Sequence, residues 1–583
     1  MYSAIKSVQI LVALLKEYGI KNLVLSAGAR NVPFVHSVET DPYFNCYSVV
    51  DERSAAFFAM GIAQKTNKPV AISCTSSTAC CNYLSGVTEA YYHKVPVLII
   101  TCDRDPYFLN QMETLMIKQP GMYRDVSKTY VQLPIVKSDE DLWYCKRLVC
   151  EAILELNHHG KGPVQINVPI TSGSSNFTVE KLPKVNPIRR YDILTPDTEW
   201  KSMSEMLVGK RILVIAGQND TTSDALKNAI NGFVKKFNCV VSVEHTSNLH
   251  SAQTVHTYPV CELLNQDEFN QKYAPDIVIS FGGNIASSKT KTLLRGNCSK
   301  QEHWLISDDG KIMDTYKCQT KVFECAPEFF FEKIAQFADN ANAATEYFDL
   351  WNDKKNSIVF PESLPFSNVT AVGKLFKMIP AGSILHTSIL NSTRVSQYYD
   401  FQSENITTYS NLAAYGIDGC MSTFMGQAAV HDGLAYLIIG DLSFFYDMNS
   451  IWIRHVKNNV RIFLINNEGG AEFHLAFGKE LIPEINLHTS AEHHCKARAW
   501  VESNNFKYIS ASNEQELIEG LKEFNSESDR PILFEVFTDK EKDAQTVRDF
   551  YKANGKISKK EQNESFKAKL ISKGINIAKK IMK

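Results

Sequence analysis

The sequence predicts an α/β protein whose parallel sheets are distributed over several domains. Short apolar runs end repeatedly in polar or glycine-containing loops, and stretches with helical spacing of apolar residues lie between them. The length of 583 residues exceeds what a single hydrophobic core organises, and it predicts about three or four domains. Together, these two observations define the predicted fold class.

The charge balance and the apolar runs exclude several classes of function. The chain has 62 basic and 64 acidic residues, a net charge of −2, so no overall field favours nucleic acid or an anionic membrane. The longest apolar run near the start, Ile10–Leu15, is much shorter than the roughly 20 residues of a membrane span. Fourteen cysteines without a CxxC pair and the lack of a secretory leader favour a cytoplasmic protein without a transmembrane segment.

The first part of the chain predicts a helix followed by strands with polar ends. Apolar residues at helical spacing over residues 1–20 predict an amphipathic helix, and Lys21–Leu25 follows as a strand. The loop after this strand leaves Arg30 near the strand end, as either a solvated turn residue or a functional one. Tyr47–Val50 is a second short strand, and Asp51 is suited to cap the helix that follows.

Glu52 lies at the junction of that strand and that helix. A carboxylate in the first turn of a helix is commonly a surface residue that complements the helix dipole. The alternative is a functional carboxylate at a strand end, which the local pattern alone does not distinguish from the first interpretation.

The middle of the chain predicts a second α/β domain between two linkers. Residues 171–200 and 352–368 lack apolar periodicity and are rich in polar residues, which is typical of linkers. Between them, three apolar runs each end in a polar loop. Gly282-Gly283 follows one of these runs but lacks a GxGxxG pattern, so we expect no dinucleotide site. The predicted domains are 1–175, 190–350 and 365–545.

Polar residues end two neighbouring strands in the stretch Gly440 to Gly470. Leu434–Gly440 is an apolar run that ends before Asp441, and Arg461–Ile465 ends before Asn467. Ends of parallel strands lie side by side, where ligands bind. A carboxylate, an amide oxygen and a backbone carbonyl near Gly469 form an all-oxygen set suited to Mg²⁺, which usually bridges phosphates. The alternative is an ordinary βα unit with polar strand ends.

A basic tail over residues 546–583 follows the last predicted domain. Residues 552–583 contain ten lysines and two glutamates, and their apolar residues form one narrow helical stripe interrupted by Gly574. We interpret the tail as a solvated helix outside the main fold. A docking or membrane-surface helix is the alternative, since lysines around an apolar stripe suit an anionic lipid surface.

Several of these segments, in the right order, resemble one enzyme family. Asn467 follows Asp441 by 26 residues (467 − 441), a spacing that resembles the diphosphate-binding motif of thiamine diphosphate (ThDP) enzymes. Its Gly-Asp-Leu-Ser form is typical of the menaquinone-pathway synthase of 2-succinyl-5-enolpyruvyl-6-hydroxy-3-cyclohexene-1-carboxylate. DERSAAFFAMG at Asp51 resembles that family's DERSAGFFALG, and AAYGIDG at Ala413 resembles its GASGIDG. The likeness covers about residues 1–545.

This resemblance implies a doubly wound parallel sheet in each of three domains, in the order pyrimidine-binding, central and diphosphate-binding. Glu52 would be the glutamate that holds N1′ of the aminopyrimidine and starts the cycle, and Ile417 would support the bent conformation of the cofactor. The resemblance places the cofactor at Glu52, Ile417, Gly440, Asp441, Leu442, Ser443, Asn467 and Gly469. It places Mg²⁺ at Asp441, Asn467 and Gly469. It also implies a homodimer or homotetramer in which Glu52 of one subunit faces the metal site of another.

The resemblance is less complete in the substrate pocket. The family's synthase acts on 2-oxoglutarate and isochorismate, whose carboxylates call for guanidinium donors. Residues that match the family's substrate contacts, or lie beside its cofactor, are Arg30, Arg104, Lys289, Arg394, Glu472 and Phe473. Two family arginines are replaced by Thr290 and Leu412, the family's Asn-Gln pair is Thr114-Leu115, and Glu472 replaces an aliphatic residue.

These departures predict an altered pocket. We expect a ThDP- and Mg²⁺-dependent enzyme that decarboxylates a 2-oxoacid and either protonates the product or joins it to a second substrate. The menaquinone-pathway synthase itself is the alternative within this class. A non-catalytic ThDP-fold protein is a second alternative, which would be marked by loss of Glu52 or the metal ligands, and both are present.

Overall fold

The computed structural model describes residues 1–170, 176–338, 344–361, 363–403, 405–477 and 486–555. The chain divides into two compact units, residues 1–194 with 308–324, and residues 195–307 with 325 onward. All paired strands within these units run parallel, with helices between them, which confirms the predicted α/β class. Among the described residues, no helix combines the length and hydrophobicity that a bilayer span requires. The three domain boundaries stay a prediction.

The first unit contains a six-stranded sheet in the order β2-β1-β3-β4-β6-β5. Its strands are β1 Asn22–Leu25, β2 Asn45–Ser48, β3 Val70–Cys74, β4 Val97–Asp103, β5 Thr129–Gln132 and β6 Val164–Pro169. Its helices are Lys6–Glu17, Val32–Glu39, Glu52–Thr66, Thr78–Asn82, Leu84–Tyr92 and Asp139–Glu155. Two further strands of this unit, β7 Arg189–Asp192 and β13 Gln319–Glu324, pair in parallel.

The start of the helix after β2 agrees with the sequence. Asp51 accepts a hydrogen bond from the backbone N–H of Arg53, so it caps the helix Glu52–Thr66. The preceding strand ends at Ser48, two residues earlier than predicted, because only Asn45–Ser48 is in register with β1. Val50, which the apolar pattern included, is 74% exposed.

The second unit contains a central sheet and a C-terminal sheet. Five central strands follow the order β10-β9-β8-β11-β12. They are β8 Ile212–Ala216, β9 Cys239–Val243, β10 Thr254–His256, β11 Ile277–Phe281 and β12 Glu302–Ile306. Helices that accompany them are Asp197–Leu207, Asp224–Val234, Tyr258–Leu263, Gln266–Glu268, Ser288–Arg295, Pro327–Gln336 and Glu346–Asn356.

The C-terminal sheet has six strands in the order β15-β14-β16-β17-β19-β18. They are β14 Ile384–Thr387, β15 Thr407–Tyr409, β16 Ala435–Gly440, β17 Val460–Asn466, β18 Lys507–Ala511 and β19 Ile532–Phe537. The helices are Asn368–Phe376, Asn391–Ser396, Cys420–Ala429, Asp441–Tyr446, Ala471–Phe477, Arg498–Ser503, Glu514–Phe524 and Lys540–Ala553.

The two central strands of this sheet are buried on both faces. In β16, Tyr436 and Ile438 belong to one apolar cluster, whereas Leu437 and Ile439 belong to another on the opposite face. β17 alternates between the same two clusters and is buried at every residue. Continuous burial explains the apolar runs Ala435–Ile439 and Ile462–Ile465 within the two strands.

Two segments differ from the linker and tail predictions. The stretch predicted as a linker over 171–200 contains β7, whose residues Arg-Arg-Tyr-Asp are half-exposed and therefore leave no apolar run to detect. The helix Lys540–Ala553 crosses the predicted boundary at residue 545, and its buried residues include Val547 and Phe550. The remainder of the predicted tail, residues 556–583, lies outside the described residues.

Candidate active site at the carboxyl ends of the C-terminal sheet

Asp441 is the first residue after β16 and begins the helix Asp441–Tyr446. Its side chain is buried, and three backbone N–H groups donate to it: Leu442 to Oδ1 at 2.7 Å, Asn467 to Oδ2 at 2.9 Å and Gly469 to Oδ2 at 3.1 Å. The last two bonds cross from the end of β17. They bring Asn467 and Gly469 to the side chain of Asp441, although these residues follow it by 26 and 28 positions in the sequence.

A second buried carboxylate orients Asn467. The Nδ2 atom of Asn467 donates to Oδ2 of Asp543 at 2.8 Å. Asp543 also accepts from the backbone N–H of Asn368 at 2.8 Å and from the Thr538 hydroxyl at 2.8 Å. Because Asp543 takes the amide nitrogen of Asn467, the amide oxygen is the atom left for a metal ion. Burial raises the pKa of Asp543 to about 6.

The loop after β17 has an uncommon backbone. Glu468 and Gly469 have φ of 63° and 139°, in the region that side chains rarely adopt. A Cβ atom on Gly469 would lie 2.7 Å from the backbone oxygen of Ser490, so only glycine fits without a shift. Lys540 Nζ donates to the Glu468 carbonyl at 2.8 Å and to Glu492 Oε1 at 3.0 Å, and so fixes the loop from the last described helix.

A cavity of about 310 Å³ opens in front of these groups. Its lining includes all the C-terminal residues expected at the cofactor: Ile417, Gly440, Asp441, Leu442, Ser443, Asn467 and Gly469. Ser388 donates to the Ser443 hydroxyl at 3.0 Å, and Ser443 donates to the Ile417 carbonyl at 2.7 Å. This short chain of hydrogen bonds connects the ends of β14 and β16 to the loop that presents Ile417.

The donor set of this cavity fits a metal-bound diphosphate. Within the described residues, the ion-pair partner of the buried Asp441 carboxylate is His493 Nε2 at 3.5 Å, a contact too long for a hydrogen bond. The carboxylate thus has three neutral backbone donors but no closely bound cation. A divalent ion held by this carboxylate, the Asn467 amide oxygen and a loop carbonyl would supply the missing charge. The residues present therefore fit the predicted group.

A larger cavity of about 850 Å³ shares a wall with the first. Leu390, Glu472 and Phe473 line both. The second cavity also has two cationic residues, Arg394 and Lys291, and three tyrosines at positions 258, 415 and 551. Of the matched basic residues, Arg394 is therefore at the cavity, whereas the lysine in its lining is Lys291 rather than Lys289.

Glu472 on the shared wall interacts electrostatically with Arg394 of the second cavity. Burial raises the pKa of Glu472, and nearby Asp441 raises it further, while Arg394 lowers it. Asn391 connects the two side chains, because it accepts from Arg394 at 3.0 Å and its amide lies 3.4 Å from Glu472 Oε2. The carboxyl group therefore resists ionisation more than an ordinary glutamate does.

Three predicted site residues belong to the first unit. Glu52 is partly exposed, and its Oε2 accepts from Asn82 Nδ2 at 3.3 Å. Arg104 pairs with Glu113 at 2.7 Å and donates to the Thr114 carbonyl at 2.7 Å. The backbone N–H of Arg30 donates to the Thr75 hydroxyl at 3.1 Å. All three follow strand ends of the first sheet, as their positions in the sequence predict.

Sequence reasoning missed Asp543, Lys291 and Ser388. Asp543 is separated from Asn467 by 76 residues, and the pattern around it is that of an ordinary capped helix. Lys291 is two residues beyond the matched lysine, and Thr290 between them is buried and bonded to Ser287. Ser388 follows a strand end, a signal that could have identified it.

Comparisons with known proteins identify the class of protein to which this fold belongs. A family model described as "Thiamine pyrophosphate enzyme, N-terminal TPP binding domain" matches residues 5–122. Together with three parallel sheets and the Asp441–Asn467 site, this match defines a ThDP-dependent enzyme of the decarboxylase and carboligase class. Full-length relatives narrow the assignment further. The chain belongs to the family of 2-succinyl-5-enolpyruvyl-6-hydroxy-3-cyclohexene-1-carboxylate synthases.

Relatives that carry this name come from several bacteria. The Bacteroides fragilis protein is 39% identical over 567 residues, which cover 94% of this chain and 99% of the relative. The Christiangramia forsetii protein is 32% identical over 584 residues, with the same coverage of 94% and 99%. The Desulfotalea psychrophila protein is 30% identical over 533 residues, covering 90% and 96%. The likeness therefore extends over all three sheets.

Proposed function

We propose that the enzyme catalyses the reaction for which its relatives are named. It decarboxylates 2-oxoglutarate and joins the resulting four-carbon unit to an anionic ring acceptor of the isochorismate type. The observation that carries this proposal is the shared wall between the two cavities. A cofactor in the first cavity is next to a second space that has Arg394 and Lys291 in its lining.

The cofactor is ThDP with Mg²⁺, bound in the first cavity. When bound, ThDP supplies a nucleophilic carbon and an electron sink for loss of CO₂. Asp441, the Asn467 amide oxygen and the Gly469 region hold the metal ion. Ile417 supports the cofactor from its apolar side. Glu52 of a second subunit holds the aminopyrimidine ring and shares a proton with its N1′ atom.

Substrate carboxylates have two cationic partners in the second cavity, whose lining also includes Glu262 and Glu472. Arg394 and Lys291 are two cations in the second cavity, and charge-assisted hydrogen bonds to such groups contribute about 1.5–3 kcal/mol each. The sequence comparison suggested that two cations had been lost at Thr290 and Leu412. Lys291 offsets the first of these losses. The raised pKa of Glu472 also weakens its repulsion of an anion.

The working form is a homo-oligomer in a cytoplasmic setting. The helices next to Glu52 support this proposal, because Phe57, Phe58 and Leu84 are 41%, 47% and 47% exposed in the single chain. Glu52 of one subunit would complete the Asp441–Asn467 site of another. Light scattering of the active enzyme should report a dimer or tetramer, and an active monomer would contradict the shared site.

One observation favours a different 2-oxoacid or acceptor. Leu412 lines the second cavity where the family has an arginine, so one carboxylate of the substrates loses a guanidinium partner. The deciding experiment measures CO₂ release from 2-oxoglutarate, pyruvate and 2-oxobutyrate, each with and without isochorismate. Preference for 2-oxoglutarate and formation of the joined product support the synthase. Preference for a monocarboxylic 2-oxoacid, or no joined product, supports the altered pocket.

A further inference from the structure

Two adjacent histidines and a glutamate converge in the first unit, outside the site described above. His158 and His159 follow the helix Asp139–Glu155, and Glu324 ends β13. His158 Nε2 lies 3.1 Å from Glu324 Oε2, and His159 Nε2 contacts Glu324 Oε1. Within the described residues, one ligand atom from each side chain lies within 4.8 Å of the other two.

The chemistry of the set is that of a transition-metal site. Two imidazole nitrogens and one carboxylate are a known zinc ligand set, with water in the fourth position. Metal–ligand distances of about 2.0–2.2 Å in a tetrahedron separate ligand atoms by about 3.3 Å. The separation of 3.1 Å between His158 Nε2 and Glu324 Oε2 is close to this value. The His159 side chain is 68% exposed, so most of its ring faces solvent.

A second layer of residues holds His158 in a suitable orientation. His158 Nδ1 lies 2.9 Å from Glu155 Oε1, and Arg190 donates to the same carboxylate oxygen at 3.0 Å. Metal-binding histidines usually donate the other ring N–H to a carboxylate in this way. With Nδ1 as donor, a neutral His158 directs the lone pair of Nε2 toward Glu324. That contact is favourable only if a proton or a metal cation lies between the two atoms.

We propose that His158, His159 and Glu324 form a zinc-binding site. The ion would connect the loop after the helix Asp139–Glu155 to the returning segment 308–324, which is separated from it by 165 residues in sequence. Zinc binding would therefore stabilise the first unit without contributing to the reaction. The competing interpretation is a metal-free cluster in which a doubly protonated His158 bridges Glu155 and Glu324.

The test uses tag-free, full-length enzyme saturated with Mg²⁺ and ThDP. Mg²⁺ prefers oxygen ligands and does not compete for imidazole. A C81S/C495S background removes two exposed thiols that could also bind zinc. Zinc is added after chelation, and bound metal is measured by mass spectrometry after dialysis, with affinity from calorimetry. We expect one zinc per chain, a higher thermal midpoint with zinc, and unchanged turnover.

Two variants and one control separate the interpretations. His159→Asn and Glu324→Gln should each lower zinc affinity by about tenfold or more and remove the zinc-dependent rise in thermal midpoint. His93→Asn is the matched control, because His93 is exposed and pairs with a single carboxylate, Glu89, at 3.1 Å. Equal zinc binding by His159→Asn and His93→Asn overturns the proposal. The absence of bound zinc in the C81S/C495S protein without further substitutions also overturns it, and would leave a metal-free ion-pair cluster.

Discussion

Asn467 donates a hydrogen bond of 2.8 Å to Asp543, a carboxylate that is only 1% exposed. This bond reaches from the end of β17 to the last described helix, so the orientation of a proposed metal ligand depends on how that helix packs. Two further donors, the backbone of Asn368 and the hydroxyl of Thr538, leave Asp543 with acceptor roles only.

Asp543→Asn should weaken Mg²⁺–ThDP binding although Asp543 is not a proposed ligand. The new amide N–H₂ faces groups that are themselves donors, so Asn467 loses its partner or turns its oxygen away from the metal. Loss of one such bond costs about 1–3 kcal/mol, or roughly tenfold or more in affinity. Calorimetry measures the effect. Asp539→Asn, which keeps the cap of the same helix, is the control and should bind normally.

Asp441→Ala should reduce Mg²⁺–ThDP affinity more severely. The substitution removes the proposed charged ligand of the metal ion and an acceptor for three backbone N–H groups. We expect a loss of about 100-fold or more, measured by calorimetry, together with a lower thermal midpoint. Asp432→Ala changes an exposed aspartate before β16 and should leave both quantities unchanged. Unchanged affinity in Asp441→Ala would mean that the diphosphate binds elsewhere.

Glu52→Gln should abolish turnover while ThDP still binds. The proposed role of Glu52 is proton transfer at the aminopyrimidine ring, which contributes about 100-fold or more to rate, whereas the proposed ligands of the metal-bound diphosphate are Asp441 and Asn467. Steady-state CO₂ release and cofactor calorimetry measure the two properties separately. Asp51→Asn retains the helix cap next to Glu52 and controls for local unfolding. Glu52 is misassigned if its variant keeps more than a few per cent of activity.

Glu472→Gln should flatten the pH dependence of KM for a dicarboxylic 2-oxoacid. Burial raises the pKa of Glu472, so the wild-type group is neutral at lower pH and becomes an anion as pH rises. The anion repels the substrate, and KM in the wild type therefore increases with pH. Repulsion of about 1 kcal/mol corresponds to roughly a fivefold change. Glu519→Gln, at an exposed position of the helix Glu514–Phe524, should retain the wild-type profile.

Removal of the chain after Gly555 should leave activity, oligomeric state and thermal midpoint unchanged. A second protein, truncated after Lys552, provides the comparison, because it also lacks Asn554. That side chain accepts from the Val359 N–H at 3.0 Å and donates to the Val359 and Phe550 carbonyls at 2.9 Å each. The shorter protein should therefore unfold at a lower temperature. Loss of the oligomer in the longer one would assign residues 556–583 to the working assembly.

The sequence predicted those features that depend on neighbouring residues. Asp441 and Asn467 follow adjacent buried strands, and the geometry of parallel sheets alone requires their proximity. Asp543 could not be found in this way, because its contact with Asn467 arises from helix packing 76 residues further along. Lys291 shows a different limit of prediction from the sequence. Matching by position selected Lys289, whereas the structure puts Lys291 in the cavity lining.

The alternation of β16 and β17 between two apolar clusters limits where this family can change in length. Deleting one residue inside β17 would exchange its two faces and withdraw Asn467 from Asp441 by about 3.3 Å. Both apolar clusters would lose their packing, and the proposed metal site would lose its geometry. Insertions and deletions that survive natural selection should therefore fall between Asp447 and Asn459, outside both strands. The alignment of the carboxyl ends of β16 and β17 is then a result of packing as much as of the chemistry of the site.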